Sequence, residues 1–188
     1  MRTPEVFAGL VDRHGSAIMG FLRRRLNRDL ADELAAETFL RAFDARGRYD
    51  PARPDARPWL FGIAARVLAE HRRKETRFLR ALARYGERLE APCGLEDLED
   101  KIDARAASSA LAGALARLSG DERDVLLLHA WADLSYEEIS DALGIPAGTV
   151  RSRLHRARSR IRKDLDRTLA NPSVTFTSNQ EQPHEQRA

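Results

Sequence analysis

The sequence predicts an all-α protein of two small helical domains joined by an acidic linker, the second containing a helix-turn-helix. Three observations carry this expectation. Apolar residues recur at spacings of three and four along nearly the whole chain, runs of β-branched residues are few, and the punctuation is that of helices, with capping serines and threonines and early prolines.

Taken in order, Thr3 followed by Pro4 opens the first helix: a side-chain oxygen caps free amides, and proline at the first helical position gives up no hydrogen bond. Val6, Phe7, Leu10 and Val11 form one face behind it, continued by Ile18, Phe21 and Leu22. A second helix runs from Leu30 to Phe43, with Leu34, Ala35, Phe39 and Phe43 inward and Asp32, Glu33, Glu37 and Arg41 outward. RGRYDPARPDARP, Arg46 to Pro58, holds three prolines and reads as a loop. A third helix begins near Trp59, carries Ile63, Val67 and Leu68 inward, and ends in the basic run HRRKETRFLR. Trp59 falls on the Ile63 and Val67 side and reads as core.

The composition changes after Arg84. Between Glu87 and Asp103 seven acidic residues stand against Arg88 and Lys101, with Pro92 and Gly94 among them, which is the signature of a linker. Helical pattern resumes near Ala104. SGDE then places a serine at 119 three residues before Glu122, and SYEE repeats the device at Ser135 and Glu138, two capping boxes that start two further helices. From Asn171 the chain is polar, proline-broken and aperiodic, so the tail is expected to be disordered. The expected organisation is a first domain over 1–84, a linker over 85–104, a second domain over 105–170 and a tail over 171–188.

Charge narrows the function. The formal net charge is +3, from 32 basic and 29 acidic residues, so what matters is where the charge sits. GIPAGTVRSRLHRARSRIRK, Gly144 to Lys163, has seven basic residues and no acidic one, whereas LSYEEISDAL just before it has three acidic residues and no basic one. Spacing dissects this region. Tyr136 to Leu143 is a short helix with Ile139, Ala142 and Leu143 inward; Gly144 supplies a left-handed stop, Ile145 buries itself, and Pro146 starts the next helix. Two helices about a short glycine-containing turn form the helix-turn-helix pattern. Val150, Leu154, Ala157, Ile161 and Leu165 then make one buried stripe, and every arginine of the helix lies off it.

A solvated face normally mixes charge signs at a spacing of four, whereas this one stacks like charges that repel by a few tenths of a kcal/mol each. Such a face has an anion to meet. A membrane helix would need bulky apolar side chains facing lipid, and this modest stripe is required for packing, so DNA is the better partner. The first turns of the helix fit the major groove, with Ala147, Gly148, Thr149, Arg151, Ser152 and His155 toward base edges and Arg153, Arg156 and Arg158 toward phosphates.

These residues carry a resemblance. RLSGDERDVLLLHAWADLSYEEISDALGIPAGTVRSRLHRARSRIRKDL resembles the second DNA-binding domain of the extracytoplasmic-function (ECF) family of bacterial RNA polymerase sigma factors. VDRHGSAIMGFLRRRL, LADELAAETFLRAF and RYDPARPDARPWLFGIAARVLAEHRRKE resemble, in order, the segments of that family's first conserved domain. The resemblance implies a subunit that binds core RNA polymerase, recognises promoter DNA and helps open it, with an anti-sigma factor as a further possible partner and no catalysis of its own. It implies that Asp32, Glu33, Glu37 and Arg41 contact core polymerase. It assigns the minus-ten region of the promoter to Tyr49, Arg57, Arg66, His71, Arg72, Arg73 and Lys74, and the minus-thirty-five element to the helix after Pro146. Two positions depart from the family pattern: Ala36 stands where many members carry glutamine, and Arg66 where many carry asparagine.

The competing expectation is a stand-alone helix-turn-helix regulator whose first domain senses a signal or dimerises. An enzyme is disfavoured, because the chain has no phosphate-cradling glycine loop and no histidine cluster with catalytic or metal spacing; neither metal nor cofactor is expected. The single cysteine, Cys93, permits no intrachain disulfide. His129 and Trp131, set between apolar residues, read as core. Charges interrupt the apolar run at the N-terminus, so neither a signal peptide nor a membrane anchor is expected, and the protein is taken as soluble and cytoplasmic.

Overall fold

Eight α-helices and one short 3-10 turn make up the regular structure of the computed structural model, which describes residues 4–50, 52, 53, 55–85 and 98–170. Thr3, most of the acidic linker with Cys93, and the tail from Asn171 lie outside the described residues. The first module contains α1 (Pro4–Arg23), α2 (Arg28–Ala45), α3 (Arg57–Glu70) and α4 (Arg72–Tyr85); the second contains α5 (Leu98–Arg117), α6 (Gly120–Ala130), α7 (Tyr136–Leu143) and α8 (Ala147–Ala170).

Most of the apolar stripes face inward as their spacing requires. Phe7, Leu10, Ile18, Phe21 and Leu22 of α1 are buried, as are Leu34 and Ala35 of α2, while Phe39 and Phe43 pack half-buried against the core. Phe21 meets Phe61 edge-on at 5.3 Å, and Phe7 meets Phe43 at 5.2 Å, arrangements that add to the area they bury. Both capping boxes form: the Ser119 and Ser135 side chains accept from the Glu122 and Glu138 amides, and each glutamate accepts from its serine's amide. Gly144 closes α7 at φ +65°, and the Pro146 carbonyl accepts from Thr149 and Val150 at the start of α8.

Three elements differ from expectation. The third helix ends at Glu70 rather than running into the basic segment; the His71 amide donates to Leu68, its carbonyl accepts from Lys74 and Glu75, and α4 departs as a separate helix. Pro58 lies in the first turn of α3, so the loop is one proline shorter than its composition suggests. The first helix of the second module begins at Leu98, ahead of the Ala104 where apolar periodicity resumes.

The two modules are packed into each other. One continuous cluster of buried apolar side chains runs from Phe7 and Leu34 through Leu60 and Leu68 to Leu128, Ile139 and Val150. α5 lies along α4, with the Ser109 hydroxyl donating to the Ala83 carbonyl at 2.8 Å, and α7 lies along α3. α3 is consequently buried on almost every side, from Pro58 and Leu60 to Ala65 and Leu68, with Arg66 and Glu70 exposed.

The left-handed turn is a checkable constraint. Gly144→Ala places a β-carbon at positive φ and is expected to cost about 1–2 kcal/mol in urea unfolding. Gly148→Ala, inside α8 with nothing within 4 Å of an added β-carbon, is expected to be neutral or to stabilise by up to about 1 kcal/mol.

Candidate nucleic-acid and polymerase interfaces

α8 presents two different cationic faces. Val150, Leu154 and Ala157 are buried behind it, and Gly148, Arg151, Ser152, His155 and Arg158 lie on the opposite, solvent-exposed face. The Ser152 hydroxyl donates to the Thr149 carbonyl at 3.0 Å, holding its oxygen against the helix. Ala147 and Thr149 are half-buried in the first turn. The flank carries Arg153, Arg156 and Arg160, which turn toward the first turn of α6: Arg153 pairs with Asp121 at 2.9 Å, Arg156 approaches Glu122 at 3.8 Å, and Arg160 donates to Glu122. Arg151 and Arg158 have no carboxylate partner among the described residues.

The acidic residues of α7 have separate tasks. Glu138 completes the capping box, and Asp141 reaches Arg53 of the first module at 2.7 Å. Gly144 and the half-buried Ile145 then turn the chain, with the Ser140 hydroxyl donating to the Ile145 carbonyl at 2.6 Å.

The seven residues expected at the minus-ten region fall into three groups. Tyr49 is half-buried, its ring 5.0 Å from that of Trp59 and its hydroxyl donating to the Arg53 carbonyl; burial raises its pKa. Arg57 and Arg72 reach into the second module, Arg57 donating to the Ala132 carbonyl at 2.7 Å and Arg72 pairing with Asp124 at 3.0 Å and Asp121 at 3.2 Å. Arg66, Arg73 and Lys74 are exposed, and His71 sits half-buried at the α3–α4 junction. His129 and Trp131 are half-buried: the Leu134 carbonyl lies 3.0 Å from His129 Nδ1, and the Arg24 guanidinium stacks over Trp131.

On α2 the expected polar face is present, and three of its four members are ion-paired, within the face or to neighbouring helices. Arg41 joins Glu37 at 2.6 Å and Glu70 of α3 at 2.7 Å, and hydrogen bonding to Arg41 holds the Glu70 carboxyl below the usual range. Asp32 pairs with Arg23 at 2.9 Å, and Glu33 is exposed. Sequence reasoning missed Leu40, which shares this face and is 62% exposed. Its signal was available, because an apolar residue off the buried stripe of a helix is an anomaly.

Also missed was a buried ionic cluster joining α1, α4 and α6. Arg25, just after α1, donates to Glu75 of α4 and to Asp124 of α6, both at 2.6 Å, with Arg25 1% and Glu75 0% exposed. Arg123 Nη1 lies 2.7 Å from Glu75 Oε2, outside hydrogen-bond alignment, and its other nitrogens donate to the Leu115 and Leu118 carbonyls. Burial pulls on both guanidiniums. In Arg25 the carboxylates of Glu75 and Asp124 outweigh it and raise the pKa, whereas in Arg123 burial prevails and lowers it.

No grouping of ligand residues that could hold a metal occurs among the described residues, and no described helix is long and apolar enough to cross a membrane. A helical first module joined to a helix-turn-helix module, each with arginines at its surface, has the architecture of a DNA-binding transcription factor. Residues 10–78 match the family described as Sigma-70 region 2, and residues 108–161 match Sigma-70, region 4. The chain is 36% identical over 139 residues to the ECF RNA polymerase sigma factor SigC of Mycobacterium tuberculosis, covering 72% of this chain and 70% of that one. It is 33% identical over 162 residues to the RNA polymerase sigma factor CarQ of Myxococcus xanthus, covering 86% and 90% respectively. Among solved structures it resembles CnrH, determined in complex with the cytosolic domain of CnrY, with a TM-score of 0.62, 28% identity and coverage of 88% and 91%. It shares its fold with RpoE of Bartonella quintana, solved with the anti-sigma factor NepR, at a TM-score of 0.61, 24% identity and coverage of 86% and 98%. The chain belongs to the ECF family of RNA polymerase sigma factors: it binds core polymerase and promoter DNA in transcription initiation, and the reading as a stand-alone regulator is set aside.

The buried cluster makes a quantitative distinction. Arg25→Met leaves Glu75 facing Arg123 alone and is expected to lower the unfolding free energy by about 3–5 kcal/mol. Arg23→Ala, in the exposed pair with Asp32, is expected to change it by less than about 1 kcal/mol. Equal effects in urea unfolding would move the structural weight away from the buried cluster.

Proposed function

We propose that this sigma factor grips a promoter at two points, each built from residues named above. The exposed face of α8 reads the minus-thirty-five element: Ala147, Gly148, Thr149, Arg151, Ser152 and His155 face base edges, while Arg153, Arg156 and Arg158 reach phosphates. The observation that carries this is the separation of faces on α8, where a groove-facing surface without carboxylates stands opposite the buried Val150, Leu154 and Ala157. Tyr49, Arg57, Arg66, His71, Arg72, Arg73 and Lys74 hold the opened minus-ten region, with arginine planes suited to stacking on unpaired bases and a basic track for the strand's phosphates.

The outward face of α2 docks on core polymerase. Asp32, Glu33, Glu37 and Arg41 share the outward side of α2 with the exposed Leu40, and an apolar contact with charged neighbours is the usual anatomy of a protein interface. In this reading residues 1–84 and 105–170 are the two functional domains and 171–188 the tail, and the joining segment 85–104 ends in the first turns of α5, from Leu98. The protein is an initiation factor with no catalysis of its own, it acts in the cytoplasm without membrane insertion, and it is restrained by an anti-sigma protein. CnrH, which it resembles, was solved bound to the cytosolic domain of CnrY, and this supports the last element.

Transcription in vitro with core polymerase on a genomic library tests the assignments. Arg151→Ala with Arg156→Ala is expected to abolish dependence on the minus-thirty-five element while leaving core binding intact, and loss of core binding would sink the division of roles. Glu37→Lys is expected to do the reverse. In promoter binding by the holoenzyme, Arg158→Ala should reduce the salt slope by about one unit; an unchanged slope removes Arg158 from the phosphate contacts.

A further inference from the structure

One flank of the reading helix already has an anion. Arg153, Arg156 and Arg160 stand three and four residues apart, so their guanidiniums share the side of α8 that meets the first turn of α6. Asp121 Oδ2 lies 2.9 Å from Arg153. Glu122 takes the other two, accepting from Arg160 through Oε2 and lying 3.8 Å from Arg156 through Oε1. Burial separates the partners: Glu122 is 5% exposed, whereas the Arg156 and Arg160 side chains are 59% and 56% exposed. The guanidiniums reach in from solvent, where a phosphate can compete for them, to a carboxylate that cannot follow them out. The Ser119 amide and hydroxyl hold Glu122 in place as part of the capping box, and the positive end of the α6 dipole favours its charge. Drawing Arg156 and Arg160 away leaves this buried carboxylate without a cation, which is costly. Arg151 and Arg158, on the exposed face of α8, have no such partner among the described residues.

We propose that Asp121 and Glu122 act as an internal counter-anion for the reading helix, holding its flank arginines in competition with DNA phosphates and so weakening sequence-independent binding. The inference rests on the placement of the minus-thirty-five reader on α8. Carboxylate and phosphate suit the same planar guanidinium fork, so each flank arginine has two anions to choose between. Duplex DNA of any sequence offers phosphates, and these supply essentially all of non-specific binding. A promoter also offers base edges, which the unpaired face of α8 meets. Pairing the flank internally takes away part of the hold on every duplex and leaves the base-reading groups unaltered, so base contacts supply a larger share of what remains. Glu122 is therefore a positioning residue, acting on DNA through Arg156 and Arg160.

Glu122→Gln separates this role from a merely structural one. Glutamine also serves as the third helical residue of a capping box, while its neutral amide holds a guanidinium less strongly than a carboxylate does. The full-length protein is titrated onto a labelled random-sequence duplex of about 25 base pairs at salt concentrations from about 50 to about 200 mM. The expected result for Glu122→Gln is tighter binding, with a salt slope steeper by about one unit for each arginine released; each added unit makes the gain roughly fourfold larger at the lowest salt than at the highest. A carboxylate that only ties α6 to α8 predicts lower stability with no gain in binding. An unchanged or shallower slope in folded Glu122→Gln overturns the proposal. Circular dichroism identifies a Glu122→Gln chain that has not folded, in which case the exposed Asp121→Asn carries the measurement. Asp121 also pairs with Arg72 of α4, so Arg153→Ala is added to that variant: a gain lost on the addition belongs to the α8 flank, and one that persists overturns the proposal. Transcription with core polymerase is read in parallel, and Arg151→Ala is expected to weaken dependence on the minus-thirty-five element. If that dependence is kept, the placement of the reader on α8 has failed and the counter-anion falls with it. If it is weakened while the Glu122→Gln slope stays unchanged, the counter-anion alone has failed.

Discussion

The guanidinium of Arg25 is the constraint on which the arrangement of this molecule depends. It follows α1, is buried, and has carboxylates from α4 and α6 at 2.6 Å on two sides, so it ties α1 to α4 of its own module across 50 residues of sequence and to α6 of the second module across 99. A lone buried charge would be intolerable, and a paired one is acceptable only in a narrow geometry. The cluster therefore specifies position more than it adds strength. α4 must present Glu75 and α6 must present Asp124 at one point, and the other helices pack around that requirement. Arg25 Nη1 is left without a hydrogen-bond partner, and such a group contributes a cost to the packed arrangement rather than a gain.

The N-terminal half of α6, Gly120 to Asp124 with its cap Ser119, links the structural and functional halves of the molecule. Ser119 and Glu122 cap the helix, Asp124 enters the buried cluster, and Asp121 and Glu122 hold arginines of α8. Carboxylates in a first turn also complement the helix dipole. A stretch that reads as an ordinary capping box is thus the place where helix initiation, module docking and the cationic flank of the DNA-reading helix meet.

Much of the fold was legible in the sequence because it depends on local periodicity. The α7–turn–α8 unit follows from Ser135, Glu138, Gly144 and the Val150, Leu154 and Ala157 stripe, each of which acts within a few residues of itself. The polar face of α2 was legible for the same reason, although Leu40 on it was overlooked. The end of α3 was misplaced because nothing in HRRKETR opposes helix; the break at His71 lets α4 leave in a new direction and places Glu75 beside Arg25. A further sign went unread. RPWLFGIAARVLAE is apolar on every side but that of Arg66 and Glu70 rather than on one stripe, which requires cover on more than one side, and α7 supplies part of it.

The sequence by itself determined the helices, the helix-turn-helix, the distribution of charge and, through the family resemblance, the protein's place in transcription initiation. These are properties of spacing and residue type within single segments. Only the tertiary structure decided which arginines are free and which are taken. Arg151 and Arg153 are equivalent as letters two positions apart, yet one faces solvent and the other meets Asp121, and Arg57 and Arg72 are claimed by a module that begins tens of residues away. The physical reason is that ion pairing is set by distance in space. The distances that matter here are between helices whose mutual placement depends on a buried cluster with no local periodicity to reveal it.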